Sequence, residues 1–181
     1  LVLDMLTFSK EREPDMGAAD LNAVVADVCE LMQTRAEELS VELTTQFDPH
    51  MPTLTFDEEG LHRAVLNVVT NAIDACDANE VGHVRVETRY AKTEKLARVI
   101  IEDDGSGIPA AEIEKMFTLF VSKKGSRGTG LGLPVSNKIL SEHGGEIRVE
   151  SEVGRGSRFT LEFPAEIADE PRSARDTLVD P

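Results

Sequence analysis

Residues 96–109 read LARVIIEDDGSGIP. The β-branched run at 99–101 predicts a strand over 98–102, and the carboxylates and glycines after it predict a turn. A buried carboxylate at a strand end, here Asp103, can accept a hydrogen bond from the exocyclic amine of adenine. That selects adenine over guanine, whose corresponding position is an acceptor. Gly105 and Gly107 let the backbone pass close to a flat base, with Ile108 closing the turn. An ordinary Asp-Gly turn accounts for the same letters equally well, so the flanking sequence has to decide between the two.

Upstream, Asp57 starts a helix predicted to run to about residue 78, with Leu61, Val65, Val68, Ala72 and Ala75 as its apolar stripe. Asn67, Asn71 and Asp74 follow the same steps and form a polar row beside the stripe. Two carboxamides four apart point the same way. An amide oxygen is a neutral ligand suited to a hard cation such as Mg2+, leaving other positions for phosphates and water. A solvated helix face is the simpler account of this row taken alone. Residues 83–90 form a further strand candidate, joined to 98–102 by the polar residues 92–95.

Downstream, Gly128-Thr129-Gly130-Leu131-Gly132-Leu133 leads into a helix predicted over 131–142, with Pro134 in its first turn. Backbone amides at such a helix start make an anion site, and glycines permit close approach. No Gly-Lys-Ser/Thr follows, so this is not a Walker A loop, and the strand-first context of a dinucleotide fold is missing. Lys123, Lys124 and Arg127 lie just ahead. They are either a solvated loop or the positive field that a polyphosphate requires, and their place beside the glycines favours the second.

The remaining chain supplies a helix over 21–39 capped by Asp20, a strand over 41–47, turn prolines Pro49 and Pro52, and a final strand pair at 146–150 and 157–163. Residues 1–8 read as the tail of an amphipathic helix and 10–19 as a linker. From 165 the composition turns polar, which predicts a disordered tail. The organisation expected is therefore 1–19, a folded domain over 20–164, and an acidic tail over 165–181. The element order suits an α+β fold: a two-layer sandwich whose mixed, mostly antiparallel sheet is covered on one face by about three helices.

Composition narrows the function classes. The 181 residues are 40% hydrophobic, enough for one core. Cys29 and Cys76 fall in apolar helical runs and read as small buried hydrophobes. A formal net charge of −15 argues against nucleic acid as partner and requires local cations or helix dipoles at any nucleotide site. No apolar run approaches the roughly 18 residues of a membrane span, so a cytoplasmic location is expected, either for a soluble protein or for the inner part of a membrane sensor.

Taken in order, these segments resemble the catalytic domain of sensor histidine kinases, within the ATPase superfamily shared with gyrase, Hsp90 and MutL. Residues 67–74 resemble the N box, 103–107 the first glycine box, 116–123 (MFTLFVSK) the F box and 128–133 the second glycine box. Residues 143–147 (HGGEI) and 154–159 (GRGSRF) match the terminal strands. The resemblance covers roughly 20–164, and the short stretch between Lys123 and Gly128 is similar to the nitrogen-regulatory branch.

The resemblance implies the Bergerat ATP-binding fold and the cofactors ATP and Mg2+. It implies that Asn71 binds the metal, that Asn67 assists at the phosphates and that Asp103 recognises adenine. Gly105, Gly107 and Ile108 would shape the base pocket, with Asp74 and Phe120 also lining the nucleotide. Lys123 would act with Asn67 and Asn71 in catalysis by approaching the phosphates, with Lys124 and Arg127 beside it, and Gly128, Thr129, Gly130, Leu131, Gly132 and Leu133 would form the hinge and phosphate contacts of the ATP lid. It further implies phosphoryl transfer to a histidine on a helical hairpin, its own or a neighbouring subunit's, and a receiver-domain response regulator as partner. The parent protein would be dimeric through that hairpin, and this chain a monomer or weak dimer. Relatives that hydrolyse ATP carry Glu where Asn67 stands, and Asn cannot act as general base. None of His50, His62, His83 or His143 precedes an acid as the phosphoacceptor does, so each reads as surface or structural. An anti-sigma-factor-type serine kinase and a nucleotide-binding module without transfer are the alternatives.

Overall fold

The computed structural model describes residues 13–76, 81–117 and 132–168. Its strands are β1 (Met16–Ala19), β2 (Val41–Gln46), β3 (Leu54–Asp57), β4 (Gly82–Ala91), β5 (Leu96–Asp103), β6 (Glu146–Glu152) and β7 (Gly156–Pro164). Its helices are α1 (Leu21–Glu38), α2 (Glu58–Ala75), the short α3 (Ala110–Ile113) and α4 (Gly132–Glu142). β2, β4, β5, β7 and β6 form one sheet in that order; β2 runs parallel to β4 and every other pair is antiparallel.

The helices begin where the sequence signals them. Asp20 accepts from the Ala23 amide at 3.2 Å, and Asp57 accepts from Gly60 at the same distance. Each thereby satisfies one of the free N–H groups of a first turn. The α2 stripe of Leu61, Ala64, Val65, Val68 and Ala72 is buried against the sheet. Alternation along β5 sends Val99 and Ile101 into the same core, and Arg98 and Glu102 to the open face. There, cross-strand ion pairs cover the sheet: Glu102 binds both Arg85 and Arg158, and Glu162 binds both Arg98 and Arg148. The layer order is thus open sheet face, sheet, then α1, α2 and α4, as the α+β reading expected.

Residues 10–19 do not remain a linker throughout. Met16–Ala19 pairs antiparallel with β3, a strand the prolines had hidden. Residues 165–168 also depart from the disordered reading. The Thr55 amide donates to the Glu166 carbonyl at 2.9 Å and the Ala168 amide to the Thr53 carbonyl at 2.9 Å, while Ala165 is buried. Backbone pairing holds this segment, Ala165-Glu166-Ile167-Ala168, which is too short and too weakly strand-forming to be placed by its side chains. β3 is therefore flanked on both sides, and its Phe56 packs edge-on against Phe163 with ring centroids 5.9 Å apart.

His143 proves structural. Its Nε2 accepts from the Asp57 amide at 3.0 Å, so the proton sits on Nδ1, which donates to the Ile139 carbonyl at 2.7 Å. The ring thus ties the end of α4 to the start of α2. No helix among the described residues is long and apolar enough to cross a membrane.

Candidate active site

α2 is the middle helix of the layer, and its two flanks set the site. On one flank it runs against α4. The Asn67 amide donates to the Gly132 carbonyl at 3.0 Å and to Ser136 Oγ at 3.1 Å. The Gly132 carbonyl can only accept, so the Asn67 nitrogen must face α4, and among the described residues its oxygen has no hydrogen-bond partner. On the other flank α2 meets α1, where Arg35 Nε and Nη2 both bind Asp74 Oδ1, at 3.1 and 2.5 Å. Asn71 lies between these two commitments. Among the described residues no hydrogen bond engages its carboxamide, and it is only partly buried.

The glycine turn closes on the end of this helix. The Ser106 amide donates to the Ala75 carbonyl at 3.1 Å, and a Cβ on Gly105 would lie 2.4 Å from that same oxygen. Gly107 has φ +65°, and a Cβ there would lie 2.0 Å from the Glu152 carbonyl oxygen. The close approaches that demand glycine are thus made to protein backbone, to α2 on one side and to the β6–β7 hairpin on the other. Ser151 completes the clamp. Its Oγ accepts from the Ile108 amide at 2.8 Å, donates to the Gly156 carbonyl at 2.9 Å and lies 3.0 Å from Ser157 Oγ. Gly107→Ala is expected to cost about 3 kcal/mol, from an unfavourable left-handed φ plus a backbone clash. An unchanged urea midpoint would contradict that.

Asp103 occupies the point where turn, α2 and hairpin meet. By strand alternation its carboxylate projects to the helical side, and it accepts from the Gly105 amide at 3.0 Å and from the Ser157 backbone. Burial pushes its carboxyl up to about 6, against the lowering effect of those two hydrogen bonds. Asp104 behaves oppositely. Burial raises it, but hydrogen bonds from the His83 backbone and ring and from Cys76 outweigh that and hold it below the usual range. Adjacent carboxyls driven apart in this way are a recurrent mark of functional sites. Cys76 is itself pushed up to about 12 and Cys29 to about 11 by burial, so both thiols are inert packing groups.

The structure therefore places Asn67, Asn71 and Asp74 along α2, Gly132 against Asn67 with Leu133 next in α4, and Asp103, Gly105, Gly107 and Ile108 on the turn that closes on the end of α2. Phe120, Lys123, Lys124, Arg127, Gly128, Thr129, Gly130 and Leu131 lie outside the described residues. Sequence reasoning missed Arg35, Ser136 and Ser151. Arg35 did leave a signal, being the single cation in α1. A depression of about 680 Å³ lies beside the Arg85–Glu102–Arg158 ion pairs of the open sheet face, and its charged lining is mostly acidic, with Glu42, Asp104, Glu150 and Glu152, which disfavours a polyphosphate there.

The chain belongs to the histidine kinase-, DNA gyrase B- and HSP90-like ATPase family, whose pattern matches residues 56–167. It is 34% identical over 165 residues to the signal transduction histidine-protein kinase AtoS of Escherichia coli, a match covering 91% of this chain and 26% of AtoS. Full-length ShkA in complex with AMPPNP superposes with a TM-score of 0.82 at 28% identity, covering 93% of this chain and 36% of that one. The catalytic domain of histidine kinase ThkA gives 0.73 at 28% identity, covering 83% of this chain and 95% of that one. ThkA in complex with the response regulator TrrA gives 0.75 at 27% identity, covering 90% of this chain and 46% of that one. The chain thus spans about a quarter of AtoS and corresponds to the ATP-binding catalytic domain of sensor histidine kinases.

Proposed function

We propose that this domain binds Mg-ATP and donates the γ-phosphate to a histidine on a helical hairpin outside the described residues. One observation carries the reading. The Ser106–Ala75 hydrogen bond joins the carboxylate-bearing turn to the end of α2 one helical turn beyond Asn71, which supports a single site for the groups that would recognise the base and ligate the metal. Asp103 would accept from the adenine amine. Asn71, with the free oxygen of Asn67, fits a hard cation that needs oxygen donors and keeps several positions for phosphate and water. That ion would neutralise charge on the transferring phosphoryl group.

The chain's own contribution is then positioning. Asp103 fixes the base, Asn67 orders the start of α4, and the cations Lys123, Lys124 and Arg127 would meet the phosphates. Amide side chains at both N-box positions leave no general base for water, which favours transfer over hydrolysis. ThkA with its response regulator supports a receiver domain as the next acceptor, and dependence on ATP supports a cytoplasmic location for the domain.

Incubating the protein with γ-labelled ATP, Mg2+ and a hairpin taken from a histidine kinase tests the reading. Acid-labile, base-stable label on the hairpin is the expected result. Label on serine or in free phosphate, or no label with intact nucleotide binding, would each replace it with another function.

A further inference from the structure

Asp74 sits three residues after Asn71, on the same side of α2, where side chains lie about 5–6 Å apart. A negative charge there opposes a triphosphate, and the chain as a whole carries −15. Facing it is Arg35, from the last turn of α1, with two nitrogens on one carboxylate oxygen. The rest of α1 carries Asp27, Glu30, Glu37 and Glu38. A lone arginine aimed at the one acidic member of the polar row is therefore not a generic surface charge. As a fold contact it contributes little, because Arg35 is about half exposed and such pairs are weak in stability. As a local field it matters more, since like charge within several ångströms of a polyphosphate is unfavourable wherever water is partly excluded.

We propose that Arg35 is a positioning residue for the nucleotide, one that cancels the Asp74 charge and so lets the phosphate chain settle beside Asn71. This rests on the Mg-ATP reading of the site. The effect scales with ligand charge, which separates it from a packing role.

The test is calorimetry on the full chain with Mg-ATP, Mg-ADP and adenosine at low salt. Arg35→Gln retains the packing of the stem and removes the charge. It should weaken Mg-ATP roughly tenfold, Mg-ADP less and adenosine not at all, with a melting temperature within about 2 °C of wild type. Arg35→Lys should stay within about threefold of wild type, because it keeps the charge without the planar fork. Adding Asp74→Asn to Arg35→Gln should recover most of the lost Mg-ATP affinity, and raising the salt concentration should shrink the difference between wild type and Arg35→Gln. Unchanged Mg-ATP affinity in Arg35→Gln overturns this inference alone. An equal loss for adenosine, or no recovery with Asp74→Asn, also overturns it by pointing to packing. Absence of Mg-ATP binding in the wild type overturns the reading of the site and this inference with it.

Discussion

Asn71→Ala is expected to lower Mg-ATP affinity by at least about a hundredfold and to abolish phosphoryl transfer, while leaving the fold intact. Removing one oxygen ligand from a hard cation, and with it the alignment of the phosphates, is worth several kcal/mol at the reacting end of the ligand. Stability should barely change, because the carboxamide makes no hydrogen bond among the described residues and is partly exposed. Alanine is also the better helix former. The contrast with Asn67→Ala is informative. That change also frees the Gly132 carbonyl and Ser136, so it should destabilise by about 1–2 kcal/mol and weaken nucleotide binding together. Titrating Mg2+ at fixed ATP checks the assignment. Full transfer by Asn71→Ala at ordinary Mg2+ would remove Asn71 from the metal.

Asp103→Asn should move binding and stability in opposite directions. An amide can accept only on one side and presents a donor on the other, so adenine nucleotide affinity should fall about a hundredfold or more. The unliganded protein should meanwhile gain stability near neutral pH, because a buried charge is replaced by a neutral group. The sign follows from the raised carboxyl, about 6 in the fold against 3.8 for a free aspartate side chain. Such a group stabilises the fold below its unfolded value, and that stabilisation is lost as pH rises through about 6. The melting temperature of the unliganded protein should therefore carry a component that declines between about pH 4 and 6 and levels off above, and Asp103→Asn should flatten it. Binding runs the other way, since the adenine amine needs the carboxylate. Mg-ATP affinity should fall as pH drops below about 6, up to tenfold per unit. A pH-independent affinity between pH 5 and 7.5 would separate Asp103 from the base.

Much of this arrangement is legible along the chain because local chemistry and global position agree. Asp20 and Asp57 cap the helices they announce, and the β-branched run before Asp103 lies in the middle of the sheet. The α2 polar row is visible from periodicity alone. What stayed hidden depends on partners distant in sequence. β1 and residues 165–168 have weak strand propensity and are held by backbone bonds to β3. From sequence, the glycines of the first box suggest clearance for a base, yet the clearance they provide is for Ala75 and Glu152 carbonyls. Arg35 is separated from Asp74 by 39 positions, a pairing no periodic pattern announces.

β3 carries one more implication. It receives the chain from residues 16–19 along one side and from 166–168 along the other. Whatever precedes and whatever follows the domain thus leaves beside one short ribbon, at the opposite end of α2 from the glycine turn, with residues 165 and 166 held as well by Tyr90 and Lys95. Tension on either tether would shear backbone pairs around Phe56 before it reached the five-stranded sheet. The first turn of α2 grows directly out of that ribbon, so strain there would be passed along α2 toward the glycine turn.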